Sequence, residues 1–167
     1  MALAVLESSD HDVNNVQLSD YIILDQIFEL ESVGRREDAL AQMLEHLHEK
    51  GILEDIGHIR QALTEREQHV STALGKGLAL PHARLSSFKD FMVTIGFYPH
   101  GISWGSQDLA PVHLIFLVLG PDDKQLEYLR LVAHIADLAR DDHARKILLG
   151  SLHPREILRF FKTALRR

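Results

Sequence analysis

Thr64-Glu-Arg66-Glu67-Gln-His-Val-Ser71-Thr72-Ala-Leu-Gly75-Lys76-Gly77-Leu-Ala79-Leu-Pro81-His82-Ala-Arg84 is the passage on which the fold turns. Its first residues finish a helical pattern that begins near Ile56. Asp55 offers an N-cap there, and Ile56, Ile59 and Leu63 recur as an inner face, through Gln68. Two glycines mark residues 71–77 as a loop. Leu78-Ala79-Leu80 then reads as a short buried strand that stops at Pro81-His82.

Upstream, Arg36 to Lys50 has the spacing of a helix, with Ala39, Leu40, Met43, Leu44 and Leu47 on one stripe and Gly51 as the stop. Tyr21 to Leu24 is an apolar run of strand type, and residues 1–17 form a polar, flexible N-terminal tail. Downstream, Phe91 to Tyr98 and Val112 to Leu119 read as strands, separated by Pro99-His-Gly101 and a turn-rich stretch. Gln125 to Arg140 is apolar nearly all round and is expected to be well buried. Asp141 or Asp142 caps a helix through Leu149, and Pro154 stands at the first position of a last one, Arg155 to Leu165. These patterns predict one three-layer α/β domain over residues 18–167, with helices on both faces of a small sheet.

The chain has 167 residues, 46% of them apolar, and a formal net charge of −6, which suits one domain with a real core. With no cysteine, disulfides, thiolate metal sites and cysteine nucleophiles are excluded. The acidic balance argues against a nucleic-acid partner, because phosphate neutralisation needs a cationic face. The longest apolar run, Leu114 to Leu119, falls far short of the ~20 residues that span a bilayer. Met1 to Leu6 lacks a basic flank and meets Glu7, so no signal peptide and no membrane insertion are expected, and the compartment expected is the cytoplasm.

Eleven histidines are the anomaly in the composition. No two of them stand three or four residues apart, the spacing a helical metal site needs, so no metal centre is expected. Gly101-Ile-Ser103-Trp104-Gly105 matches the nucleophile-elbow pattern, but no helix follows it, and its glycines read as a turn between strands. Trp104 reads as a packing residue and His113 as a strand-end histidine. Gly75-Lys76-Gly77 lacks the spacer of a P-loop, and Leu78 stands where Ser or Thr would follow the lysine.

Taken whole, the passage from Arg66 to His82 resembles the active-site region of enzyme IIA of the fructose/mannitol/nitrogen-regulatory type, from the bacterial phosphoenolpyruvate-dependent phosphotransferase system. An Arg-Glu (Arg66, Glu67), a Ser-Thr (Ser71, Thr72) and then G-x-G-x-A-x-P-H (Gly75 to His82) stand in order. Val112 to Leu119, Gly120-Pro121-Asp122 and the leucine-rich helix carry the likeness to the far end of the chain. The resemblance implies a mixed sheet of about five strands and a phosphohistidine carrier. His82 would accept a phosphoryl group from a histidine-containing phosphocarrier protein and hand it to an enzyme IIB or hold it as a regulatory signal. Imidazole suits this, since an unperturbed pKa of ~6.5 leaves a neutral nucleophile at cell pH. Arg66 would grip phosphoryl oxygens with its fork. Gly75 and Gly77 would let the loop approach phosphate, with Ser71 and Thr72 beside it, and no metal or organic cofactor is called for.

One position departs from the resemblance. A second histidine usual at the start of the long helix is replaced by Gln125, whose amide donates a hydrogen bond but cannot become cationic. Lys76 either returns positive charge to the site or is a solvated loop lysine. A rival reading keeps the fold and loses phosphotransfer, leaving a binding module. For the relay reading, the imidazole of His82 is expected open to solvent, with a guanidinium beside it.

Overall fold

The computed structural model describes residues 16–105 and 108–164. The expected tail lies outside the described residues over positions 1–15, as does Leu165 at the end of the last predicted helix. The chain runs β1 (Ile27–Glu29), α1 (Arg36–Glu49), α2 (Ile56–His69), β2 (Ala73–Gly75), β3 (Leu78–Ala79), β4 (His82–Arg84), β5 (Met92–Ile102), β6 (Val112–Gly120), α3 (Gln125–Arg140), α4 (Asp142–Leu149) and α5 (Pro154–Ala164).

A six-stranded mixed sheet has the order β1-β5-β6-β3-β2, with β4 also on β6. β5 and β6 pair antiparallel over most of their lengths, Val93 opposite Val118 and Phe97 opposite Leu114. β1 adds parallel to β5, and β3 and β4 add parallel to the same edge of β6. Leu78 faces Leu114 and His82 faces Val118, so β3 and β4 form one broken row interrupted at Leu80-Pro81. Proline has no N–H to give to a ladder, but its carbonyl still accepts from Val118 N at 3.0 Å. The break therefore costs the row little and delivers His82 at the start of a new strand.

Period-two alternation along β6 divides the core. Leu114, Phe116 and Val118 pack with Leu131, Ile135, Ile157 and Phe161 from α3 and α5. Ile115, Leu117 and Leu119 pack with Met43, Leu44, Leu47, Ile59 and Leu63 from α1 and α2. Both faces of β6 are buried, which is why residues 114–119 read as an unbroken apolar run. Gly120 ends the strand where a Cβ would lie 2.0 Å from the Phe91 ring, so only a glycine lets that ring pack there.

Four local expectations need correction. Residues 21–24 are not a strand: two 3-10 turns, Leu18–Asp20 and Leu24–Gln26, flank the segment, and the strand begins at Ile27. Ile22 is buried as predicted for an apolar run, but Ile23 and Leu24 are exposed. The loop expected over residues 71–77 contains β2, which pairs antiparallel with β3 as a hairpin. Pro99-His100-Gly101 does not end a strand, because β5 runs through it to Ile102, taking up the disturbance as a register shift against β6. α3 is buried on one face only: Leu131 and Ile135 are sealed, whereas Leu126 and Leu129 are 52% and 50% exposed.

Candidate functional site

The last turn of α2 and the first residues of β4 meet to build the site. Asp55 caps the helix by accepting from His58 N at 3.2 Å. Near the other end, Arg66 donates from Nη1 to Val70 O at 3.1 Å, one of the carbonyls a helix terminus leaves unpaired. The same guanidinium donates from Nε to Nε2 of His82 at 3.1 Å. On the far side of the ring, Nδ1 lies 2.9 Å from Leu80 O. A carbonyl only accepts, so Nδ1 carries the proton and Nε2 presents its lone pair to the arginine. Both contacts thus select the neutral imidazole in a single tautomer.

Burial pushes the His82 pKa below its ordinary value, and the nearby charges of Arg66 and Arg84 push the same way, against the pull of the Leu80 carbonyl and Glu67. The expectation of a ring open to solvent needs correction: His82 is buried, 8% exposed, because it sits at the start of a strand paired to β6. It is reached through a cleft of about 350 Å³ lined also by Arg66, His69, Arg84, Asp122 and Tyr128. The larger hollow, about 690 Å³ between Tyr21, Ile52, His58 and Phe88, contains neither His82 nor Arg66.

Glu67 is turned away from the cleft. Its buried carboxylate accepts from Thr72 N at 3.0 Å and from Thr72 Oγ1 at 2.5 Å, and Arg36 approaches it at 3.5 Å. Adjacent residues on a helix face different sides, so Arg66 serves the cleft while Glu67 ties the end of α2 to the start of the β2–β3 hairpin.

Residues 21–164 match the family of the phosphoenolpyruvate-dependent sugar phosphotransferase system, EIIA 2. The chain belongs to this family. It is 34% identical over 91 residues to the nitrogen regulatory protein of Bradyrhizobium diazoefficiens, covering 54% of this chain and 60% of that one. It is 28% identical over 114 residues to the fructose-specific EIIABC component of Bacillus subtilis, covering 68% of this chain and 18% of the relative. The chain thus spans less than two thirds of either relative. In fold it is similar to the nitrogen regulatory protein IIA-Ntr of Neisseria meningitidis, with a TM-score of 0.77 at 23% identity over 86% of this chain and 98% of the other.

Within this EIIA domain, the other residues singled out from the sequence scatter. Thr72 is buried on Glu67, and Ser71 Oγ accepts from Ala73 N at 3.3 Å. Gly75, Lys76 and Gly77 all have positive φ, so the glycines serve the hairpin turn. The turn faces Asp108, whose carboxylate accepts from Lys76 N at 2.7 Å. The Lys76 ammonium pairs with Asp142 at 3.2 Å and does not line the cleft. Gln125, the first residue of α3, accepts through Oε1 from Nη1 of Arg84. Trp104 is a sealed packing residue, and Nδ1 of His113 lies 3.1 Å from Pro99 O.

Sequence reasoning passed over Arg84 and Tyr128. The Tyr128 ring lies 5.5 Å from that of His82, tilted by 47°, and Arg84 Cζ sits 4.6 Å above its centre. Arg84 had a legible signal: two residues after His82 on a strand, it lies on the same side. Tyr128 had the period of α3, but nothing in the sequence set which face of that helix meets β4.

Proposed function

We propose that this EIIA-family chain is a phosphohistidine carrier, with Nε2 of His82 as the atom that bears the phosphoryl group. The observation that carries the reading is the bonding of the imidazole: Nδ1–H is held by Leu80 O, and the Nε2 lone pair faces a guanidinium that lines the same cleft. The donor is a histidine-containing phosphocarrier protein. As the P–N bond to its imidazole breaks, a new P–N bond forms at His82 Nε2, and the donor ring recovers its lone pair. No proton has to leave His82, because Nδ1 keeps its own throughout.

Arg66 has two parts in this step. Before transfer it covers Nε2, and during transfer it gives up that contact and sets its fork on the phosphoryl oxygens. Positioning and charge stabilisation supply the rate, as is usual in phosphoryl transfer. Glu67 and Thr72 hold the helix end from which Arg66 reaches. Gln125 lies at the edge of the site through its bond to Arg84. Gly75, Gly77 and Ser71 shape the β2–β3 hairpin that follows α2, and Lys76 belongs to its turn. The acceptor is an enzyme IIB or a protein that reads the phosphorylation state, and the relay operates in the cytoplasm.

The test is incubation with phosphoenolpyruvate, its kinase and the phosphocarrier. Uptake of one acid-labile phosphoryl group, absent from His82→Ala, is expected. A wild-type chain that stays unlabelled overturns the reading in favour of a binding module, and a His82→Ala chain that still labels overturns the assignment of the phosphoryl group to His82.

A further inference from the structure

Arg84 is a cation without an obvious use in the resting protein. Most arginines of the surface meet a carboxylate, as Arg60 meets Glu45 and Arg140 meets Asp137. Arg84, like Arg66, has no ion pair among the described residues. It lies instead over the Tyr128 ring and donates to the neutral amide of Gln125. A guanidinium has only donors, so it takes the amide oxygen, and the Gln125 NH2 is left as a donor.

The placement of these groups is specific. Arg84 and His82 leave β4 on one side, rest on the same Tyr128 ring and line the same cleft. The charges of Arg66 and Arg84 both bear on His82 and on Tyr128. The cleft also receives Glu65, which accepts from Gln61 at 3.0 Å, and Asp122. Its two arginines offset those two carboxylates while His82 is neutral. A phosphoryl group on Nε2 puts nearly two negative charges on its three oxygens, while the ring, keeping its Nδ1 proton, gains one positive charge. The cleft gains about one net negative charge, concentrated on the oxygens, and the single fork of Arg66 does not cover all three.

We infer that Arg84 is a second phosphoryl-binding cation, parked on Gln125 and Tyr128 while His82 is free and turned onto the phosphoryl oxygens once the Nε2–P bond has formed. The inference rests on the carrier reading. Its driving force is the exchange of a guanidinium–amide hydrogen bond for a guanidinium–phosphoryl one, in which both partners are charged. The long side chain covers the distance by rotation about its own bonds, with β4 fixed. When Arg84 leaves, Gln125 is free to turn its NH2 toward the same oxygens.

The experiment labels four chains from phosphoenolpyruvate: wild type, Arg84→Met, Arg84→Lys, and Arg84→Met with Gln125→His. Methionine keeps an aliphatic stem on Tyr128, and amide-proton spectra check that each variant is folded. Arg84→Met is expected to label roughly tenfold more slowly or worse. Arg84→Lys should recover part of the rate, and Gln125→His should recover part by placing an ionisable ring on the same side of the cleft. The 31P resonance of the labelled protein gives the readout that mere packing would not move: loss of a neighbouring cation shifts its titration to higher pH in Arg84→Met, with Arg84→Lys close to wild type. In wild type the Gln125 side-chain amide resonances should shift on labelling. If Arg84→Met labels at the wild-type rate with an unchanged 31P titration, the inference is wrong and the carrier reading stands. If wild type takes up no label, the carrier reading fails and the inference falls with it.

Discussion

Nε of Arg66 donates to Nε2 of His82 across 3.1 Å, so in the resting protein the one free lone pair of the imidazole is covered by a cation. This arrangement holds the ring neutral and oriented, and it also stands in the path of any electrophile. Attack from Nε2 requires the guanidinium to move aside. In the proposed transfer, the incoming phosphoryl oxygens supply the reason for it to move, because they would attract the fork more strongly than a neutral nitrogen does.

The contact predicts how the site answers to pH. Burial and the two arginines depress the His82 pKa, so the folded protein binds the proton less readily than the unfolded chain. The stability from keeping His82 neutral is fully present above about 6.5, the unperturbed value, and is lost as pH falls through the folded pKa. Proton NMR of the His82 ring should give a midpoint below 6.5, and labelling should fall across the same interval. A midpoint at or above 6.5 contradicts the burial and charge assigned to the ring.

Replacing Arg66 separates its two roles. Arg66→Ala removes a repelling charge, and His82 should titrate at higher pH than in wild type. Labelling should fall by about 10²-fold, the usual cost of losing one preorganised donor to the transferred group. Arg66→Lys keeps the charge without the fork and should fall between. A rate loss with no change in the His82 titration would mean that the arginine acts from elsewhere than the ring.

Glu67 should matter to stability before it matters to chemistry. Its carboxylate is buried and satisfies both donors of Thr72. Glu67→Ala leaves those two donors without their acceptor, while Arg36 keeps Glu37 at 2.8 Å, and should cost about 2 kcal/mol, read from urea denaturation. Thr72→Val removes only the hydroxyl contact and should cost about 1 kcal/mol. Labelling by the fraction still folded should change less than in the Arg66 variants.

Gly120→Ala tests the packing behind Tyr128, one wall of the cleft. The new methyl would lie 2.0 Å from the Phe91 ring, which stacks on Tyr128 with centroids 6.4 Å apart. Overpacking of this kind costs about 1–3 kcal/mol. Movement of Phe91 should also perturb the ring resonances of Tyr128 and His82, visible by NMR before unfolding begins.

Lys76→Met should leave the labelling rate within about twofold of wild type, because the ammonium is exposed, paired with Asp142 and outside the cleft lining. A tenfold loss would restore Lys76 to the site.

Much of this molecule was legible because the core imposes short-range periods. β6 is buried on both faces from Leu114 to Leu119 and is apolar there without interruption, and the stripes of α1 and α2 repeat at helical spacing. Segments without such a period misled: residues 21–24 have strand composition but link two 3-10 turns, Leu18–Asp20 and Leu24–Gln26, and a proline and glycine inside β5 are absorbed by a register shift. The even coat of leucines on α3 gave no sign that Leu126 and Leu129 face solvent, since burial depends on what lies opposite.

Arg66 and His82 were linked in the sequence by a motif, sixteen residues apart, yet motif spacing carries no direction for a side chain. Chain order alone determined a layered α/β domain and the residue types of its cleft, because local spacing fixes which side chains share a face. Tertiary structure decided that Leu80 O holds one nitrogen of His82 and Arg66 the other, that Thr72 belongs to Glu67, and that Arg84 from β4 meets Gln125 and Tyr128 from α3. Those pairings depend on how α2 and α3 are laid against one broken row of the sheet, and that packing is set by the whole core at once.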